Sequence, residues 1–270
     1  MGIFIYLSVS KSVSQAAWEP VYREALALAQ QLGLAEYRRQ EICGVPIWCL
    51  SVTEERTTYF GFEETRTWTG FDVDGDYTTM ETGEKNGFPK ELIGGAASCS
   101  EPADAMLETY LAANEDKEPH EYYSMLDGKT QGYAHHIPLL AVCCLIVDRL
   151  ADQAYVYGDI TAGQCRNAVK LANKYLDRPI SLPDYCDPKR MALRLKRLSL
   201  SVDQAFDLLD WAYLGNKDSA LGAEMRQSYG AEDCCSEWEK RLQPIQVGTA
   251  AFARVLTDYL NMGFDLERLC

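Results

Sequence analysis

Residues 135–144 read HHIPLLAVCC, two histidines and two cysteines framing an apolar run. Imidazole and thiolate are zinc's preferred donors, but they must converge at about 2.0–2.3 Å on one point. Pro138 suits the first turn of a helix, having a fixed φ and no N–H to satisfy. Helix between Pro138 and Cys143 rises roughly 7.5 Å, and Cys143 and Cys144 point roughly 100° apart around the axis. The spacing therefore favours a buried helix over a metal, with free cysteine acting as a small hydrophobe. No metal or cofactor is expected.

The third histidine lies in EPHEYY (118–123), which lacks the second histidine of the H-E-x-x-H zinc-hydrolase pattern. No G-x-S-x-G nucleophile elbow occurs. GDITAGQC (158–165) joins a short apolar strand to a helix, a junction where α/β proteins often hold ligands. Its glycines fit neither G-x-G-x-x-G nor a P-loop. Thr161 and Gln164 there have capping-box spacing, which places Cys165 on the inner face of a capped core helix. A thiol site pairing Cys165 with His135 is the alternative reading, because a thiol near a helix N-terminus can be acidified.

FDVDGDYTTMETGE (71–84) sets Asp72, Asp74 and Asp76 at positions 1, 3 and 5 of a calcium-loop pattern. Tyr77 replaces the glycine that such a loop needs at position 6, and Gly83 replaces the glutamate at position 12. This is not an EF-hand. The alternatives are a solvated acidic turn or a hard-cation site of another geometry, and the residues leave both open. Together with Glu81, Glu84, Glu115, Asp116 and Glu118, these aspartates make a candidate binding surface for a protein or a cation.

That surface belongs to a marked charge imbalance. The chain has 270 residues and a net charge of −14. Residues 51–127 hold 18 acidic and five basic side chains, whereas the segments on either side are close to neutral. Nucleic-acid phosphate and anionic membranes are not attracted to such a stretch, but a basic protein is. The ten cysteines include no C-x-x-C pair. They fall largely in apolar runs, and the N-terminus lacks the basic region of a signal peptide, so reduced thiols in the cytoplasm are expected.

Several elements must position these groups. GIFIYLSV (2–9) reads as a buried strand. Ser12 and Gln15 have capping-box spacing ahead of a helix whose inner face is Trp18, Val21, Tyr22, Ala25, Leu28, Ala29 and Leu32, with Gly33 as its stop. Residues 45–52, 56–62 and 65–71 read as an antiparallel meander that the first strand can join. Residues 72–100 fit neither period. Pro102 can open a helix through Met106, Leu107, Tyr110 and Leu111. Helices are then expected over 138–150, after Thr161, after Asp187-Pro188 and after Ser201, with AYVY (154–157) as a short strand. The cleanest pattern is the last, Phe252, Val255, Leu256, Tyr259 and Leu260, closed by Gly263.

The fold class is therefore α+β. An N-terminal helix and meander occupy residues 1–100, and a mainly helical region with one strand occupies 101–270, as two domains or around one continuous core. The functional expectation is a non-catalytic acidic binding protein, such as an inhibitor, immunity-type antagonist or adaptor. It would engage a basic protein through its 51–127 surface. A cysteine- or cation-dependent hydrolase is the alternative.

Overall fold

The computed structural model describes residues 3–34, 36–42, 45–57, 63–72, 106, 109–111, 122–130 and 135–269. The chain is α+β and forms two compact units, 1–182 and 183–270. The sequence-based boundary near residue 100 lies outside the described residues.

In the first unit, strand β1 (Phe4–Ser10) is the middle of a three-stranded antiparallel sheet. Its neighbours are β5 (Tyr122–Lys129) and β6 (Ala154–Gly158). Residues alternate between faces along a strand. Leu7 lies opposite Val156, and Val9 opposite Ala154, so one face is aliphatic and fully buried. Tyr6 lies opposite Tyr157, and Ser8 opposite Tyr155, on the other face. There the rings of Phe4, Tyr6, Tyr157 and Tyr155 form a stacked series, and Tyr110 packs on Tyr155 at 4.2 Å.

A separate antiparallel sheet is the meander β2 (Glu36–Ile42), β3 (Val45–Thr57) and β4 (Glu63–Asp72). The expectation that β1 joins the meander is corrected: β1 pairs with β5 and β6 instead. The meander's expected first break, between 52 and 56, is spanned by the single long strand β3.

Helix α1 (Gln15–Gln31) buries Trp18, Val21, Tyr22, Ala25, Leu28 and Ala29 as its spacing predicts. Its cap is Ser14, whose hydroxyl accepts from the Ala17 N–H at 3.2 Å. The capping-box reading of Ser12 is thus corrected, since Ser12 lies in the preceding turn, its Oγ 2.7 Å from that of Ser10. Gly33 ends the helix at φ +68°, which only glycine adopts cheaply.

Helix α2 (His136–Leu150) is apolar on every side because it has neighbours on every side: α1, β6 and helix α3 (Ala162–Ala172). Residues Leu140 to Ile146 are all fully buried. At its C-terminal end Arg149 donates through Nε and Nη2 to the two oxygens of Glu24 on α1, at 2.8 and 2.7 Å. That bidentate fork is geometrically specific, and it holds the Glu24 carboxyl below the usual carboxylate range.

The second unit contains α4 (Pro188–Arg197), α5 (Val202–Ala212), α6 (Ser219–Tyr229), α7 (Ala231–Leu242) and α8 (Ala250–Asn261). Asp187 caps α4 through the Arg190 N–H at 2.9 Å. Gln204 Oε1 accepts from the Ser201 N–H and hydroxyl at 3.2 and 2.9 Å. The core is an aromatic cluster in which Trp238 meets Phe206 and Tyr259 edge-on, and Phe264 stacks on Tyr259 at 5.2 Å. Edge-on and offset arrangements are the favourable ones for such rings. Arg194, only 2% exposed, donates to Asp184 at 2.9 Å. Helix α8 is less covered than its pattern predicts. Tyr259 is its buried residue, and Leu260 is 43% exposed.

Candidate functional site

The turn 158–165 and the first residues of α2 meet in space, so the histidine and thiol candidates can be judged together. Gly158 has φ +112°, and a Cβ there would lie 2.6 Å from the Phe4 carbonyl oxygen. Close passage of β1 therefore excludes any side chain at 158. Asp159 next clamps Phe4 from both directions. Its N–H donates to the Phe4 carbonyl at 2.9 Å, and its Oδ2 accepts from the Phe4 N–H at 2.9 Å. Thr161 and Gln164 form the full reciprocal capping box of α3.

Gln164 also reaches His136. Its Oε1 is engaged by the Thr161 N–H at 2.8 Å, which leaves Nε2 to face His136 Nε2 at 3.2 Å. On the other side of the imidazole, Nδ1 lies 2.7 Å from Thr130 Oγ1. The single Thr130 hydroxyl proton goes to the Ile3 carbonyl at 3.2 Å. Thr130 Oγ1 must therefore accept from His136 Nδ1–H, and His136 Nε2 must accept from the Gln164 amide. The imidazole is neutral, with one tautomer fixed and both nitrogens engaged. Burial pushes its pKa down from the ordinary histidine value, and His135 adds to this, whereas Asp159 and Cys165 oppose it.

This relay ties the start of β1, the end of β5 and the first turns of α2 and α3. Its chemistry is that of a fixed cross-brace. A general base needs a lone pair facing substrate, and here the Nε2 lone pair faces Gln164. Cys165 is fully buried on α3, and His135, also buried, holds the N-cap position of α2. The imidazole at the start of α3 is that of the next residue, His136. The sequence marked Gln164 only as a cap, and nothing local to 130 or 136 announces their pairing.

Other thiols share the buried character. Among the described residues, Cys143, Cys144, Cys165, Cys186, Cys234 and Cys235 are buried thiols outside any disulfide. Burial pushes the Cys143 thiol up, with Cys165 adding to it, and pushes Cys234 up to about 12. Nucleophilic cysteines require the opposite shift. No group of three or more histidine, cysteine or carboxylate residues among the described ones is placed to hold a metal ion.

Of the acidic candidates, Asp72 ends β4, in register with Cys49 of β3. Asp74, Asp76, Glu81, Glu84, Glu115, Asp116 and Glu118 lie outside the described residues, as does the DVDGD turn beyond Asp72. Within the described part of the acidic stretch, the register of β3 against β4 sets Glu54 opposite Arg66 and Arg56 opposite Glu64. Among the described residues, no helix is long and apolar enough to cross a membrane. No family model, curated protein or solved structure matches the chain.

Proposed function

We propose that this chain is a non-catalytic binding protein whose acidic 51–127 stretch engages a basic protein partner, as an inhibitor, immunity-type antagonist or adaptor does. The observation that supports this most is the confinement of the charge imbalance, 18 acidic against five basic residues, to that one stretch. Opposite charge steers encounter and fixes register. The candidate with the most catalytic chemistry, His136 beside the 158–165 turn, spends its polar valences on structure.

Affinity capture from the native host with the full chain tests the reading, with the Asp72→Lys, Asp74→Lys, Asp76→Lys triple variant as control. A basic protein should be retained by the parent chain and released as ionic strength rises, since exposed charges are screened beyond about 8 Å at physiological salt. The triple variant should associate more slowly with an almost unchanged dissociation rate. A partner held equally by both chains, at any salt concentration, defeats the proposal.

A further inference from the structure

In a chain of net charge −14, helix α4 is an exception. Its exposed residues are Lys189, Arg190, Leu193, Lys196 and Arg197, with no carboxylate among them. They recur at i, i+1, i+4, i+7 and i+8, which is one helical face. Leu193 sits at the centre and is 50% exposed. The opposite face, Met191, Ala192, Arg194 and Leu195, is buried and anchors the helix in its unit. The basic face is thus displayed on a rigid element.

We propose that this face of α4 is a second docking surface, and that it takes an acidic protein segment carrying an aliphatic residue between two carboxylate clusters. Charge complementarity selects an anionic occupant. Leu193 then separates the kinds of anion: an apolar centre with a charged rim is the anatomy of a protein interface, and phosphate backbone offers nothing for a leucine to meet. Footprint argues the same way. The ten-residue helix is about 15 Å long, and Lys189 and Lys196 stand about 10 Å apart along it. A short acidic helix or strand covers that length and no more. A nucleic-acid duplex or a bilayer extends well past it and meets the surface of a strongly acidic protein.

A random-peptide display library panned on the full chain tests this, with Lys189→Glu/Leu193→Ser/Lys196→Glu as the comparison. All three positions are exposed, so the variant should keep the parent's circular dichroism and melting temperature. If it does not, Leu193→Ser alone replaces it in the comparison. Peptides enriched on the parent should carry paired acidic residues about two helical turns apart around an aliphatic one, and bind the triple variant at least about tenfold more weakly. Leu193→Ser alone should weaken them about threefold or more. The Asp72→Lys, Asp74→Lys, Asp76→Lys chain should bind them undiminished, which separates this surface from the acidic one. The proposal is overturned if no acidic peptide distinguishes parent from variant. It is equally overturned if single-stranded DNA or phosphatidylserine vesicles bind the parent and lose binding in the variant while peptides do not.

Discussion

His136 illustrates how far a residue's partners decide its role. Removing its ring leaves the buried Thr130 hydroxyl oxygen and the half-buried Gln164 amide each one partner short, and a lost buried partner costs about 1–3 kcal/mol. His136→Ala should therefore destabilise the chain by about 2–4 kcal/mol in urea unfolding. Its pH dependence has a definite sign. The folded-state pKa is lowered, chiefly by burial, while the unfolded chain titrates near the ordinary ~6.5. As pH falls through about 6.5 the unfolded state takes up the proton first, so stability complete above that pH declines below it until the folded imidazole also protonates. Urea midpoints measured between about pH 7.5 and 5 should fall, and His136→Gln should flatten part of that fall. An unchanged slope in the variant would assign the dependence elsewhere. The Asp184–Arg194 pair offers a second test at this scale. Asp184→Ala removes the carboxylate that Arg194 meets at 2.9 Å in a buried place, and breaking a buried pair costs about 3–5 kcal/mol in a stability measurement.

At the scale of elements, α2 is the organiser of the first unit, since α1, α3 and β6 all pack on it. Cys143→Asp places an unpaired carboxylate in that interior. The expected loss is several kcal/mol, a large share of the roughly 5–15 kcal/mol that holds a domain folded. A melting temperature equal to the parent's would disprove the burial. Close approach matters in the second unit as well: a Cβ on Gly222 of α6 would collide with the Met262 carbonyl at the end of α8. Gly222→Ala should therefore destabilise despite alanine's better helix propensity. What the sequence discloses follows the range of each signal. Thr161–Gln164, Asp187-Pro188, the all-apolar 139–147 run and Gly33 act within a few residues, and their elements are where local spacing puts them. EYRRQEI (β2) and YYSMLDGK (β5) have no apolar alternation and become strands only through their partners. The His136 relay was illegible for the same reason, because Thr130, His136 and Gln164 converge from three elements. Helix α8 errs in the other direction, its regular stripe promising more burial than the fold gives it.

For the whole molecule, charge and thiol chemistry make separable predictions. The buried cysteines at 143, 144, 165, 186, 234 and 235 should resist a thiol reagent in the native chain and react once it is denatured without reductant. Rapid native labelling mapped to those positions would contradict their burial. The acidic 51–127 stretch and the basic α4 face give one chain two electrostatic addresses of opposite sign. If both dock proteins, two partners should be lost independently, one to reversal at Asp72, Asp74 and Asp76 and the other to reversal at Lys189 and Lys196.

Strand β1 is made well before either of its ladder neighbours, β5 at Tyr122–Lys129 and β6 at Ala154–Gly158. At roughly 5–20 residues per second of synthesis, an emerging FIYLSVS segment waits on the order of 10–30 s for its second neighbour. For most of that interval, until β5 is made, an apolar, β-prone strand has no native pairing, the condition under which nascent chains meet one another or a chaperone. Sheets closed by contacts so distant in sequence also form slowly. The Asp159 clamp on Phe4 is the last stitch, so a ribosome-stalled chain ending before residue 154 should leave β1 open to protease, and one extended past 172 should protect it.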